Sequence, residues 1–173
     1  YLLESASQTE VWGRFSFLGY EPAMEITCTD GVLNIRKTGE DMVVTKKVEH
    51  PGDTLREIIE QYKTPVMEEL PPFTGGLVGY FSYDYIKYSE QKLKLEDKEQ
   101  QDFRDMDLML FDQVIAFDHY RQKVLLIAGV MTDDLEASYQ KAEGKLEEMA
   151  QLLKTGPHME SVSYTHLRAH ETL

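Results

Sequence analysis

Cysteine is almost missing from this chain: Cys28 stands alone among 173 residues. A single thiol can close no intrachain disulfide and build no multi-cysteine metal site. Flanked by Ile26, Thr27 and Thr29, it reads as a small hydrophobe buried on a strand. Positive charge is scarce as well, with 18 Lys and Arg against 31 Asp and Glu and a formal charge of −13. That balance argues against nucleic acid and against an anionic membrane surface as partners, because both need clustered cations. No apolar run reaches the roughly 18 residues needed to cross a bilayer, and the first residues do not form a signal peptide. A cytoplasmic protein is expected. There is no initiator Met either: the chain enters at Tyr1, directly into a strand-like Leu2-Leu3, as a fragment would.

What is present is an ordinary globular composition, 42% hydrophobic and 28% charged, on a chain long enough for one domain with a proper core. Its organising stretch is Pro71 to Asp84. Pro71 and Pro72 keep the chain extended. Gly75 and Gly76 permit a turn or close packing, and Leu77, Val78, Tyr80 and Phe81 make a short apolar run with Gly79 inside it. This reads as a buried strand, its inner glycine marking the close approach of another backbone. The three glycines do not make a phosphate cradle: they precede and interrupt the strand instead of following it, and no Lys-Ser or Lys-Thr comes after.

Elsewhere the periodicities predict an α+β fold, a mostly antiparallel sheet with two packed helices. Strands are expected over Tyr1 to Ala6, the aromatic segment Val11 to Tyr20, Ala23 to Thr29, Gly31 to Lys37 and Asp41 to Glu49. Met24, Ile26 and Cys28 share one face, and Val32 (or Leu33) and Ile35 continue it beyond an Asp30-Gly31 hairpin turn. Together these first fifty residues are expected to form an antiparallel meander. A helix follows, capped by Asp53 or Thr54 with Glu57 completing a capping box, its apolar face being Leu55, Ile58, Ile59 and Tyr62. Tyr83 to Tyr88 predicts a short helix whose tyrosines rim the core, and Glu90 to Asp107 a charged surface loop.

Two long apolar runs, Leu108 to His119 and Lys123 to Met131, predict a central hairpin. Asp118 and His119 at its tip resemble an acid–base pair, but neighbouring strand residues point to opposite faces, so a solvated turn is expected. Trp12 reads as a core or interface anchor. A second helix, capped by Asp133 or Thr132, runs to about Lys154 and stops at Gly156-Pro157.

Three segments carry a family resemblance. Thr74-Gly75-Gly76-Leu77-Val78-Gly79-Tyr80-Phe81-Ser82-Tyr83-Asp84 resembles the signature of the N-terminal region of chorismate-using synthases. These are the anthranilate synthase large subunit and aminodeoxychorismate synthase component I. Leu2-Leu3-Glu4-Ser5 and Gly13-Arg14-Phe15-Ser16-Phe17-Leu18-Gly19 favour the first of them. The resemblance implies the N-terminal part of a layered αββα sandwich. The parent enzyme it implies converts chorismate and ammonia to anthranilate and pyruvate, with Mg²⁺ and with ammonia from a glutamine amidotransferase subunit. The chorismate and Mg²⁺ residues would lie in a C-terminal half outside this chain.

The same resemblance makes Glu4 and Ser5 contacts of a tryptophan feedback site. Strand alternation turns them to opposite faces, so either a bulge re-aims one or a single residue touches the ligand; Ser5 is favoured. Arg14 has two readings, a partner for the ligand carboxylate or half of a surface ion pair. Two alternatives to anthranilate synthase stand beside it: aminodeoxychorismate synthase component I, which makes a folate precursor, and an amino-acid-binding module without catalysis.

The first 157 residues are thus one domain. Residues 158–173 lose all periodicity and resemble the translation of a sequencing adapter, and they are set aside as a non-native tail. His166, His170 and Glu171 fall in it, so their metal-like spacing carries no weight.

Overall fold

A computed structural model of the chain describes residues 1–4, 13–90 and 103–156. Ser5, Val11 and Trp12, most of the charged loop and the whole of 158–173 lie outside the described residues, so what was expected of them stays an expectation. Within the described residues the fold is α+β, with every strand pairing antiparallel.

The expected single meander is instead divided between two sheets. The strands are β1 (Leu2–Leu3), β2 (Phe15–Leu18), β3 (Met24–Thr29), β4 (Val32–Lys37), β5 (Val43–Lys47), β6 (Gly76–Phe81), β7 (Met106–Phe111), β8 (Gln113–Asp118) and β9 (Lys123–Ala128). One sheet runs β1-β2-β8-β9 and the other β5-β4-β3-β7-β6. The chain leaves the first sheet after β2 through Glu21, whose φ of 49° turns the backbone sharply before Pro22. It crosses back at Asp112, between β7 and β8. The apolar run from Leu108 to His119 is therefore two strands in different sheets, not one arm of a hairpin. The hairpin itself survives as β8 and β9, pairing Asp118 with Lys123.

The β3–β4 hairpin follows its sequence. Thr29 pairs with Val32, leaving Asp30 and Gly31 as a two-residue turn with φ of 46° and 73°. Positive φ at both central residues is the mirror-image turn whose twist matches antiparallel strands. Met24, Ile26, Cys28 and Leu33 are buried, and with Met106, Leu108 and Leu110 of β7 they form the inner face of the five-stranded sheet.

Helix α1 (Pro51–Gln61) closes that core through Leu55 and Ile58. It begins three to four residues earlier than expected, with His50 at the capping position, and no side chain caps it. Pro51 at the first helical position starts the helix by itself, because proline lacks an N–H to satisfy and its φ is already helical. Ile59, expected on the buried face, is 51% exposed.

Helix α2 (Leu135–Thr155) packs along β9, burying Ala142 and Met149. Its cap is Asp134, one residue beyond the expected pair, and the Asp134 carboxylate accepts from the Ala137 N–H. Lys145 of α2 reaches Asp112 at 2.8 Å, pinning the helix to the point where the chain changes sheets.

Candidate functional site

The signature segment forms β6, and β6 is an edge strand. The reading of it as buried holds for only part of it: Leu77 packs against the core, whereas Tyr80 and Phe81 are exposed. The reading of Gly79 holds fully. A Cβ built there would lie 2.0 Å from the Asp107 carbonyl oxygen and 2.9 Å from the Leu108 Cα, on the neighbouring β7. The segment enters through Phe73, whose ring meets Tyr1 at 6.1 Å and Phe17 at 5.5 Å. Three stretches of sequence singled out separately are thus brought into one aromatic cluster.

Beyond β6, Tyr83–Tyr88 is a 3₁₀ helix, and Tyr85 and Tyr88 rim the core as expected. The Tyr88 hydroxyl accepts from the Gly31 N–H at 2.6 Å and donates to Asp105 at 2.7 Å. Asp105 is buried, and it also takes the Asp30 N–H and the Lys87 ammonium, each at 2.8 Å. Burial by itself would raise its pKa, but the hydrogen bonds from Lys87, Tyr88 and Asp30 outweigh burial and hold it below the usual carboxylate range. Burial first, then the bond to Asp105, pushes the Tyr88 phenol far above its ordinary value. This clasp fixes the β3–β4 turn against the segment that follows the signature. All its members are paired to one another, which suits a structural role.

The second polar cluster lies at the far end of the four-stranded sheet. Arg14 donates from Nε to Asp118 Oδ1 at 3.0 Å and from Nη2 to Oδ2 at 2.5 Å, a two-pronged pair between the start of β2 and the end of β8. The guanidinium lies 4.7 Å from the Phe15 ring centre and 5.7 Å from that of Tyr120. Asp118 also accepts the Arg121 N–H at 3.0 Å and is only 4% exposed. The Arg14 bonds, acting against burial, hold its carboxyl well below the ordinary range.

Asp118 is thus no solvated turn residue, contrary to expectation. Nothing local marks this, since its partner stands 104 positions away. Arg14 is half of an ion pair, with a buried acid at the hairpin tip in place of the surface acid expected.

His119 projects from the same tip. Its Nε2 is hydrogen-bonded to Ser16 Oγ across 2.7 Å, and its backbone N–H donates to the Arg14 carbonyl at 2.9 Å. A hydroxyl and an imidazole at this distance have the outline of a nucleophile and its base. The surroundings do not complete it: Ser16 is 5% exposed, and the adjacent carboxylate of Asp118 is committed to Arg14 and the Arg121 N–H. Alongside lies a shallow cavity of about 240 Å³ lined by Phe117, Asp118, His119, Gln122, Lys123 and Val124.

Strand register relates Glu4 to this cluster. Leu2 pairs with Leu18 and Leu3 with Phe17, so the next step of the same register sets Glu4 beside Ser16. Glu4 itself is exposed. Ser5 follows immediately but lies outside the described residues. Among the described residues no group of three or more His, Cys, Asp and Glu side chains comes together to hold a metal ion, and no helix is long and apolar enough to cross a membrane.

Comparison with known proteins gives a consistent picture. The profile of the family described as chorismate binding enzyme matches residues 2–171. Anthranilate synthase component 1 of Acinetobacter calcoaceticus is 34% identical over 94% of this chain and 35% of its own length. Aminodeoxychorismate synthase component 1 of Bacillus subtilis is 35% identical over 89% of this chain and 30% of its own. The crystal structure of anthranilate synthase component I from Streptococcus pneumoniae superposes with a TM-score of 0.63 at 27% identity, covering 87% of this chain and 32% of that one. The chain therefore spans about a third of the length of the relatives it matches.

Proposed function

This chain belongs to the chorismate binding enzyme family, and on that premise we propose that it is the N-terminal part of an anthranilate synthase large subunit. The full-length enzyme converts chorismate and ammonia to anthranilate and pyruvate, with ammonia delivered by a glutamine amidotransferase subunit in the cytoplasm. The observation that carries this reading is the signature strand itself. Its Gly79 meets the β7 backbone where no other residue fits, and its entry residue Phe73 packs on Phe17, inside one of the segments that favour anthranilate synthases, and on Tyr1, directly before the other. Magnesium belongs to the family reaction, but the described residues offer no cluster to hold it. Its ligands are assigned to the rest of the polypeptide.

The role of this part is regulatory and structural. Tryptophan binds where β1 ends beside β2, with Glu4 or Ser5 answering its ammonium and Arg14 its carboxylate. The register that sets Glu4 next to Ser16, two residues from Arg14 and bonded to His119, supports gathering Glu4 and Arg14 at one end of the sheet. A ligand carboxylate meets an Arg14 whose Nε and Nη2 are already bonded to Asp118, so it addresses the N–H groups left over, two on Nη1 and one on Nη2.

The Bacillus relative supports a second reading, aminodeoxychorismate synthase component I. Product analysis of the full-length enzyme given chorismate and glutamine with the amidotransferase separates them. Anthranilate with pyruvate supports the first reading, and aminodeoxychorismate without pyruvate release overturns it. A module that binds tryptophan but forms neither product would support the non-catalytic alternative.

A further inference from the structure

We infer that β9 is an inner strand of its sheet in the full-length enzyme, where a strand from the rest of the polypeptide pairs along it. Residues 124–128, Val-Leu-Leu-Ile-Ala, are an unbroken apolar run, the pattern of a strand with neighbours on both sides and cover on both faces. Yet β9 stands at the margin of the four-stranded sheet. Leu125, Leu126, Ile127 and Ala128 are all only half-buried, whereas the residues opposite them on β8 are buried. The Gly129 N–H donates to the Asp112 carbonyl at 2.7 Å. Antiparallel alternation from that bond turns the N–H and C=O groups of Lys123, Leu125 and Ile127 toward β8, and those of Val124, Leu126 and Ala128 outward. No described strand pairs with that outward row, and no proline, bulge or central charge guards it.

The other sheet margins are protected. Strand β5 carries Lys46 and Lys47, β1 is two residues long, and Gly76 and Gly79 hold β6 at φ of 134° and 155°, away from strand geometry. Helix α2 singles out the same margin. It packs along β9, the outermost strand. A helix is about 10 Å across and strands lie about 4.8 Å apart, so a helix seated on the outermost strand overhangs the sheet. The apolar stripe of α2 continues past the buried Ala142 and Met149 to Leu135, Tyr139 and Leu153, which are exposed. A strand beside β9 would lie beneath that overhang. Relatives of the same family supply the occupant, since this chain spans only about a third of their length. A strand in the same polypeptide acts at a far higher effective concentration than a second copy would. The pairing is independent of which synthase product the enzyme makes.

Amide hydrogen exchange resolved by residue, in the full-length enzyme and in the purified 173-residue chain, tests this. The Val124, Leu126 and Ala128 amides are expected to exchange quickly in the chain and about a hundredfold or more slower in the full-length enzyme. Those of Leu125 and Ile127, bonded to β8, are expected to be protected in both. Fast exchange at the three outward positions in the full-length enzyme would overturn the pairing. So would equal protection in the chain alone, which light scattering would then trace to a second copy or to the chain's own residues. Val124→Pro separates a bonded strand from simple cover, because proline removes one outward N–H, and Val124→Ala controls for the lost side chain. The gap in thermal midpoint between these two variants is expected to be larger in the full-length enzyme than in the chain; an equal gap would overturn a bonded strand at β9.

Discussion

The Asp107 carbonyl oxygen occupies the space where any residue but glycine at position 79 would carry its side chain, 2.0 Å from the ideal Cβ. The obstacle is backbone of a paired strand, Gly79 standing opposite Leu108, so it cannot rotate aside. The φ of 155° at Gly79 adds strain for an L-residue. Gly79→Ala is expected to destabilise the purified chain by about 2–4 kcal/mol, combining overpacking with a disfavoured backbone. Gly144→Ala, on α2 with nothing within 4 Å, is expected to be neutral or stabilising by up to about 1 kcal/mol. Urea unfolding of both variants checks the pair; equal midpoints would show that the close approach has no energetic weight.

Asp105 and Tyr88 make the stability of the fold sensitive to pH at both ends. Asp105 has a folded pKa below its unfolded value, so its contribution is complete above about 3.9 and is lost as pH falls from there toward the folded pKa. Tyr88 has a folded pKa above its unfolded value, so its contribution is complete below about 10 and is lost as pH rises beyond that. Tyr88→Phe removes the donor to Asp105 and leaves the Gly31 N–H without its acceptor. It is expected to cost about 1–3 kcal/mol near neutral pH and to flatten the alkaline limb. Thermal midpoints measured from pH 3 to 11 test both limbs. An alkaline limb unchanged in Tyr88→Phe would assign it to another group, such as Tyr1, whose phenol burial pushes up to about 12.

Where structure followed from neighbours in sequence, the chain announced it. Alternation at Met24, Ile26 and Cys28 with an Asp-Gly turn specifies the β3–β4 hairpin, because strand faces and turn chirality are local properties. The assignment of strands to two sheets was not legible. Phe15 pairs with Asp118 across a hundred residues, and the switch at Asp112 lies inside a run whose apolar character never breaks. Asp118 was misread for the same reason: two polar residues at a hairpin tip look solvated until the partner strand delivers Arg14. The one cue was Arg14 itself, a cation in an otherwise apolar strand entry. On α1, proline at the first position overrode a capping box that was present in the letters but never needed.

Helix α2 is held by one cap, the Lys145–Asp112 ion pair and two buried side chains, and the weights of cap and packing can be ranked. Asp134→Ala removes a single side-chain acceptor at an exposed end and is expected to cost about 1 kcal/mol. Met149→Ala empties a fully buried position and is expected to cost about 2–5 kcal/mol. For a chain of this size, 1 kcal/mol corresponds to roughly 2–4 °C in Tm. Calorimetric scans should therefore show a larger drop for Met149→Ala; the reverse order would mean that the cap, not the packing against β9, fixes the helix.

The chain alone is expected to form no anthranilate. Chorismate conversion needs a leaving group removed and a proton handled, and the described residues contain a single hydroxyl–imidazole pair poised for such work, Ser16 with His119. That pair has a buried hydroxyl, and the neighbouring carboxylate of Asp118 is bonded to Arg14 and so does not orient the imidazole for proton transfer. Incubating the purified chain with chorismate, ammonium and Mg²⁺ and following anthranilate fluorescence tests this directly. Product above the uncatalysed rate that disappears in His119→Gln would place chemistry at the β8–β9 tip and reassign this part of the molecule from regulation to catalysis.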